Sequence, residues 1–94
     1  MSAQSKQIDL EEKLDLMAAT QLLKDLKAHE DKPMRLDASH VSHIDLPCLQ
    51  LLISAKEHWH RNDLAFSIDP ISEKFEENLT TLGLTSSIFE NLEQ

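Results

Sequence analysis

The chain has 94 residues, 40% of them hydrophobic, with a formal net charge of −8, one cysteine and one glycine. That length makes one domain, spanning residues 1–94, with one modest core. The acidity repels nucleic acid phosphates and anionic lipid heads, and a lone cysteine excludes an internal disulfide or a multi-cysteine zinc site. The single glycine, Gly83, excludes a Walker loop, a dinucleotide fingerprint and a nucleophile elbow, each of which needs several glycines. With three Phe, one Trp and no Tyr, the core is expected to be mainly aliphatic.

In chain order, the opening Met1–Gln7 is polar and lacks the basic-then-apolar order of a secretory signal. Ile8 and Leu10 alternate with polar residues, a short strand signal. Leu14 and Leu16 lead toward a first helix, in which Ala19, Leu22, Leu23 and Leu26 form one apolar face. Met34, Leu36 and Ala38 alternate with Arg35 and Asp37 as a second strand, and residues 39–44 read as a loop. A strong helix follows over 46–61, with Cys48, Leu52, Ala55 and Trp59 along one stripe. Leu64, Phe66 and Ile68 predict a third strand, and Asp69-Pro70 a turn. Ser72 is an N-cap candidate for a helix burying Phe75, Leu79 and Leu82. Gly83 suits the left-handed position past that helix, with Leu84 packing back, and the tail to Gln94 reads as a short or frayed helix. The strand-helix alternation predicts an α/β fold, helices against a mostly parallel sheet. No apolar run approaches the ~20 residues needed to cross a bilayer, so a cytoplasmic protein is expected.

The stretch from Leu36 to Leu49 carries most of the functional information. It runs from a strand through a loop into a helix start. Asp45 suits the N-cap, where its carboxylate can accept from unpaired first-turn N–H groups. Pro47 is tolerated there because those groups lack intrahelical partners. Leu46 and Pro47 place an apolar spot beside Asp45, the pattern of an interface centre with a polar rim; the alternative is that Leu46 folds back as a hydrophobic cap. His40, His43, Asp45 and Cys48 also offer nitrogen, oxygen and sulfur donors for zinc, but not at the spacing of a known finger. Cys48 reads as a small packed residue in preference to a reactive thiol. Ser39 is expected to cap its own loop rather than carry a modification. His58 and His60 point to different sides of their helix and do not pair.

The same stretch resembles the STAS family, which includes the anti-sigma-factor antagonists. Leu36, Asp37, Ser39, Val41, Ile44, Asp45 and Leu49 match its signature. Lys13-Leu14-Asp15-Leu16 resembles the family's opening motif, and Leu82-Gly83-Leu84 its close. These matches span nearly the whole chain in order. The resemblance implies a STAS fold, no enzymatic activity, no cofactor and no metal. It also implies a partner-recognition surface formed by Asp15, Ser39, His40, Asp45, Leu46, Pro47 and Cys48. The family's usual phosphoacceptor serine falls on Pro47, which has no hydroxyl, so that switch is expected to be lost. The Leu46–Leu52 run resembles small STAS proteins of bacterial chemotaxis and histidine-kinase systems. A chemotaxis-type histidine kinase or an anti-sigma-type serine kinase is therefore the expected partner. The alternative is a STAS subunit on the ATPase of an ABC lipid transporter, although such subunits often carry threonine or serine where this chain has Leu46.

Overall fold

A computed structural model describes residues 5–84. In chain order its elements are β1 (Lys6–Asp9), β2 (Lys13–Leu14), α1 (Leu16–Ala28), β3 (Met34–Ala38), β4 (His43–Ile44), α2 (Leu46–Arg61), β5 (Phe66–Ile71) and α3 (Glu73–Thr81). β1, β3 and β5 form a parallel sheet in the order β1-β3-β5, and β2 pairs with β4, also in parallel. The expected α/β architecture is what the structure shows.

Alternation decides the faces of the larger sheet. Met34, Leu36 and Ala38 of β3 are buried, as are Phe66 and Ile68 of β5, while Arg35, Ser67 and Asp69 face outward. Parallel sheets are commonly covered on both faces; here the row Gln7, Arg35 and Ser67 leaves one face polar and exposed. Arg35 ties that face together, its Nε donating to the Asp69 carbonyl at 2.9 Å.

The helices bury the other face. Ala18, Ala19, Leu22 and Leu26 of α1 join Cys48, Leu49, Leu52, Ala55 and Trp59 of α2 in one core. Trp59, Phe66 and Phe75 are its aromatic members among otherwise aliphatic residues. The Trp59 indole N–H donates to the Lys32 carbonyl at 2.6 Å, giving the buried ring's polar atom a partner. Ser72 caps α3 by accepting from Phe75 N–H at 3.0 Å, and its hydroxyl donates to the Val41 carbonyl. The start of α3 is thereby tied to the loop that precedes β4. At the other end of α3, Gly83 has φ +80°, Gly83 N–H bonds the Thr80 carbonyl and Leu84 N–H bonds the Leu79 carbonyl. This is the Schellman arrangement, in which the left-handed residue frees two carbonyls to be satisfied.

Four sequence expectations need correction. Residues 39–44 are not all loop: His43 and Ile44 form β4. Asp69-Pro70 is not a turn; β5 runs through it, with a cis peptide bond and a bulge placing two residues of β5 opposite Asp37. Proline fits because β5 lies at the sheet edge, where an absent N–H breaks no ladder bond. Leu23 is exposed at the rim of a shallow groove between α1 and α2 rather than buried. Leu82 follows the last helical residue as the C-cap of α3 and is likewise exposed. The reading of the tail falls on residues outside those described.

Candidate functional site at two helix starts

Two short strands place two helix starts side by side. β2 and β4 pair with Lys13 opposite His43 and Leu14 opposite Ile44. Asp45 N–H donates to the Leu14 carbonyl at 3.0 Å, and Ser42 N–H to the Glu12 carbonyl at 2.7 Å. Each strand then runs directly into a helix, so the register carries forward. Leu14 and Ile44 are buried, Asp15 and Asp45 occupy the N-caps, and Leu16 and Leu46 open the helices. Ala18 and Cys48 are the first buried residues of each helix.

The first turns are apolar and open to solvent. Leu16 is 67% exposed, Met17 82% and Leu46 52%. Leu46 therefore does not fold back as a cap. Pro47 is also exposed, at the second position of α2. Beside Leu46, a groove of about 480 Å³ runs between the start of α2 and α3, with Ser42, His43, Asp45, Lys74 and Leu82 among its walls. An exposed leucine at one helix start would be unremarkable. Three large apolar side chains stand exposed on two adjoining starts, and exposed apolar surface of this kind marks interaction sites.

The two aspartates are bonded differently. Asp15 Oδ1 accepts from Ala18 N–H at 3.0 Å and caps α1. Asp45 holds the N-cap position of α2 with extended backbone, yet its side chain makes no cap bond. Its Oδ1 instead lies 2.5 Å from His43 Nε2. The expected cap is thus replaced by an aspartate–imidazole pair. The sequence reading weighs His43 only as a metal ligand; the structure pairs it with Asp45.

Ser39 and His40 belong to a neighbouring cluster at the end of β3. Asp37 Oδ1 accepts from Ser39 N–H at 2.9 Å and from the Ser39 hydroxyl at 2.6 Å, and His40 Nδ1 lies 3.2 Å from that hydroxyl. The Ser39 hydroxyl and then its N–H hold the Asp37 carboxyl below the ordinary aspartate value of 3.8. The loop is therefore capped by Asp37, with Ser39 as donor, and not by the Ser39 hydroxyl acting on the backbone. Among the described residues, no side-chain hydrogen bond joins this cluster to Asp45.

Cys48 is corrected as a contact residue because it is wholly buried. Burial pushes its thiol up to about 11, and Asp15, Asp45 and Glu11 push in the same direction. A helix N-terminus alone would favour the thiolate; here desolvation and three carboxylates outweigh it. With Cys48 buried and His40 on Ser39, the four candidate zinc ligands are not gathered. Among the described residues, no group of three or more His, Cys, Asp or Glu is placed to hold a metal ion.

Sequence reasoning missed Leu16 and Met17. The available signal was the likeness of Lys13-Leu14-Asp15-Leu16 to His43-Ile44-Asp45-Leu46, each a basic or titratable residue, a buried aliphatic, an aspartate and a leucine. Only the pairing of β2 with β4 makes that likeness spatial.

A family model described as "Mlab, STAS domain" matches residues 1–92. No curated protein and no solved structure matches the chain. No helix among the described residues is long and apolar enough to cross a membrane.

Proposed function

The chain belongs to the STAS domain family, and we propose that it is a non-enzymatic docking module that binds a cytoplasmic signalling protein through the start of α2. The observation that carries this reading is the exposed Leu46 beside Asp45, an apolar centre with a charged rim. The position that the resemblance assigns to the phosphoacceptor is Pro47, so docking is constitutive and regulation falls to abundance or to the partner's own state. The resemblance of the Leu46–Leu52 run favours a chemotaxis-type histidine kinase, or an anti-sigma-type serine kinase, as that partner.

A second reading is supported by the character of the surface. Leu16, Met17 and Leu46 are large, apolar and exposed, and permanent interfaces are more apolar than transient ones. A module of this kind without a hydroxyl switch also suits a fixed subunit, such as a STAS subunit on the ATPase of an ABC lipid transporter.

One experiment addresses both readings. The tagged 94-residue chain and its Asp45→Lys variant are used to capture partners, which are identified by mass spectrometry. A captured kinase supports the first reading and a captured ATPase the second. Asp45→Lys is expected to abolish capture while leaving the thermal melt almost unchanged, because the Asp45 carboxylate makes an exposed bond to His43 and no cap bond. Undiminished capture by that variant rejects the surface.

A further inference from the structure

Resting on that reading, we propose that the docking surface comprises both helix starts and that its occupant is a basic amphipathic segment of the partner. Apolar side chains of that segment seat on Leu16, Met17 and Leu46. Its Lys or Arg side chains meet Asp15 and Asp45.

The pairing of β2 with β4 supplies the geometry. It sets Leu14 beside Ile44, so the two leucines that follow the aspartates open adjoining helices. Exposure supplies the apolar part: Met17 is the most exposed of the large hydrophobic residues among those described. Nothing in the folding of α1 calls for it, since the buried face of that helix is Ala18, Ala19, Leu22 and Leu26.

Charge then selects the occupant. Paired helix starts ordinarily favour anions, but Asp15 and Asp45 already fill both N-caps. Among the described residues the Asp15 carboxylate accepts from Ala18 N–H and the Asp45 carboxylate bonds His43, and a carboxylate has about four acceptor sites, so both retain capacity for a cation. A second copy of the chain would bring the same acidic rim against itself at a net charge of −8 per copy. An anionic bilayer would be repelled for the same reason. A cationic segment with one apolar face satisfies both halves of the surface, as in helix-in-groove recognition.

The test uses the isotope-labelled full chain and two synthetic helical peptides with the same leucine face, one flanked by Lys and Arg, the other by Glu. The basic peptide is expected to shift the backbone amides of residues 11–19 and 43–50. Its affinity should fall about tenfold between about 50 and 500 mM salt, as rim charge is screened. The acidic peptide should bind at least about tenfold more weakly. Met17→Lys, which alters neither a buried nor a capping residue, should weaken the basic peptide about tenfold. Absent shifts, shifts confined to other elements, or equal binding of the two peptides would overturn the proposal. Shifts of the same amides with chain concentration alone would replace it with self-association. Partner capture separates this inference from the reading beneath it. Loss with Asp45→Lys but not with Met17→Lys removes the two-start surface and leaves the α2 start standing. Undiminished capture by both variants removes both.

Discussion

At the start of α1, Asp15 turns its carboxylate back onto Ala18 N–H; at the register-matched start of α2, Asp45 turns its own away to His43. The residue, the N-cap position and the preceding buried aliphatic are shared. What differs is the supply of partners. An N-cap carboxylate accepts from the second or third helical N–H. In α1 these belong to Met17 and Ala18; in α2 Pro47 has none, which leaves only Cys48. Two positions before the aspartate, α1 has Lys13 and α2 has His43, whose imidazole reaches the carboxylate. One aspartate is thereby committed to holding its helix, whereas the other is committed to a surface pair that a partner can replace. Residues of one type in equivalent places thus differ in whether they hold their helix.

The comparison can be broken first at the residues that anchor both starts. Leu14→Ala and Ile44→Ala should each lower stability by about 2–5 kcal/mol, because both side chains are buried and each leaves a cavity. Urea unfolding measures both, and free tolerance of either change would show that the two starts are not held alike. The next effect separates Cys48 from Ala18, its counterpart in α1. An unfolded thiol titrates near 9.0 and the folded one near 11, so above pH 9 the unfolded chain binds fewer protons. Stability should therefore fall as pH rises from 9 toward 11, and Cys48→Ala, which makes the two starts alike, should flatten that decline. A wild-type chain with pH-independent stability in this window would contradict the burial. The smallest effect is the sharpest for the aspartates. Asp15→Ala should cost about 1 kcal/mol through the lost cap, and Asp45→Ala only a few tenths through the lost surface pair. Equal costs in thermal melts would mean that Asp45 caps after all.

The long elements were legible in the sequence because each carries a sustained period. The limits of α2 and its stripe of Cys48, Leu52, Ala55 and Trp59 follow from helical spacing, and β3 from strict alternation. β2 and β4 were not legible as a pair, since two residues each are too short for a period and their partnership is non-local. Pro70 was misread for a similar reason: proline signals a turn locally, and only the place of β5 at the sheet edge permits it in a strand. Leu46, Pro47 and Asp45 were chosen from resemblance and end-of-helix chemistry, and the structure gathers them at an exposed helix start. Cys48 enters the expected surface through the resemblance, although its place in the helical stripe already points inward. The places of His43 and Met17 are not legible, because they depend on a neighbour that chain order does not reveal.

The lone tryptophan offers one practical consequence. Trp59 lies in the last turn of α2, thirteen residues and about 20 Å of helix from Leu46, with its ring buried against Phe66 and its N–H held by the Lys32 carbonyl. Its emission should be a faithful indicator of global unfolding and nearly silent to an event at the far end of the same helix. An optical titration of partner binding therefore calls for a dye near Met17, while the native fluorophore independently checks that each variant is still folded.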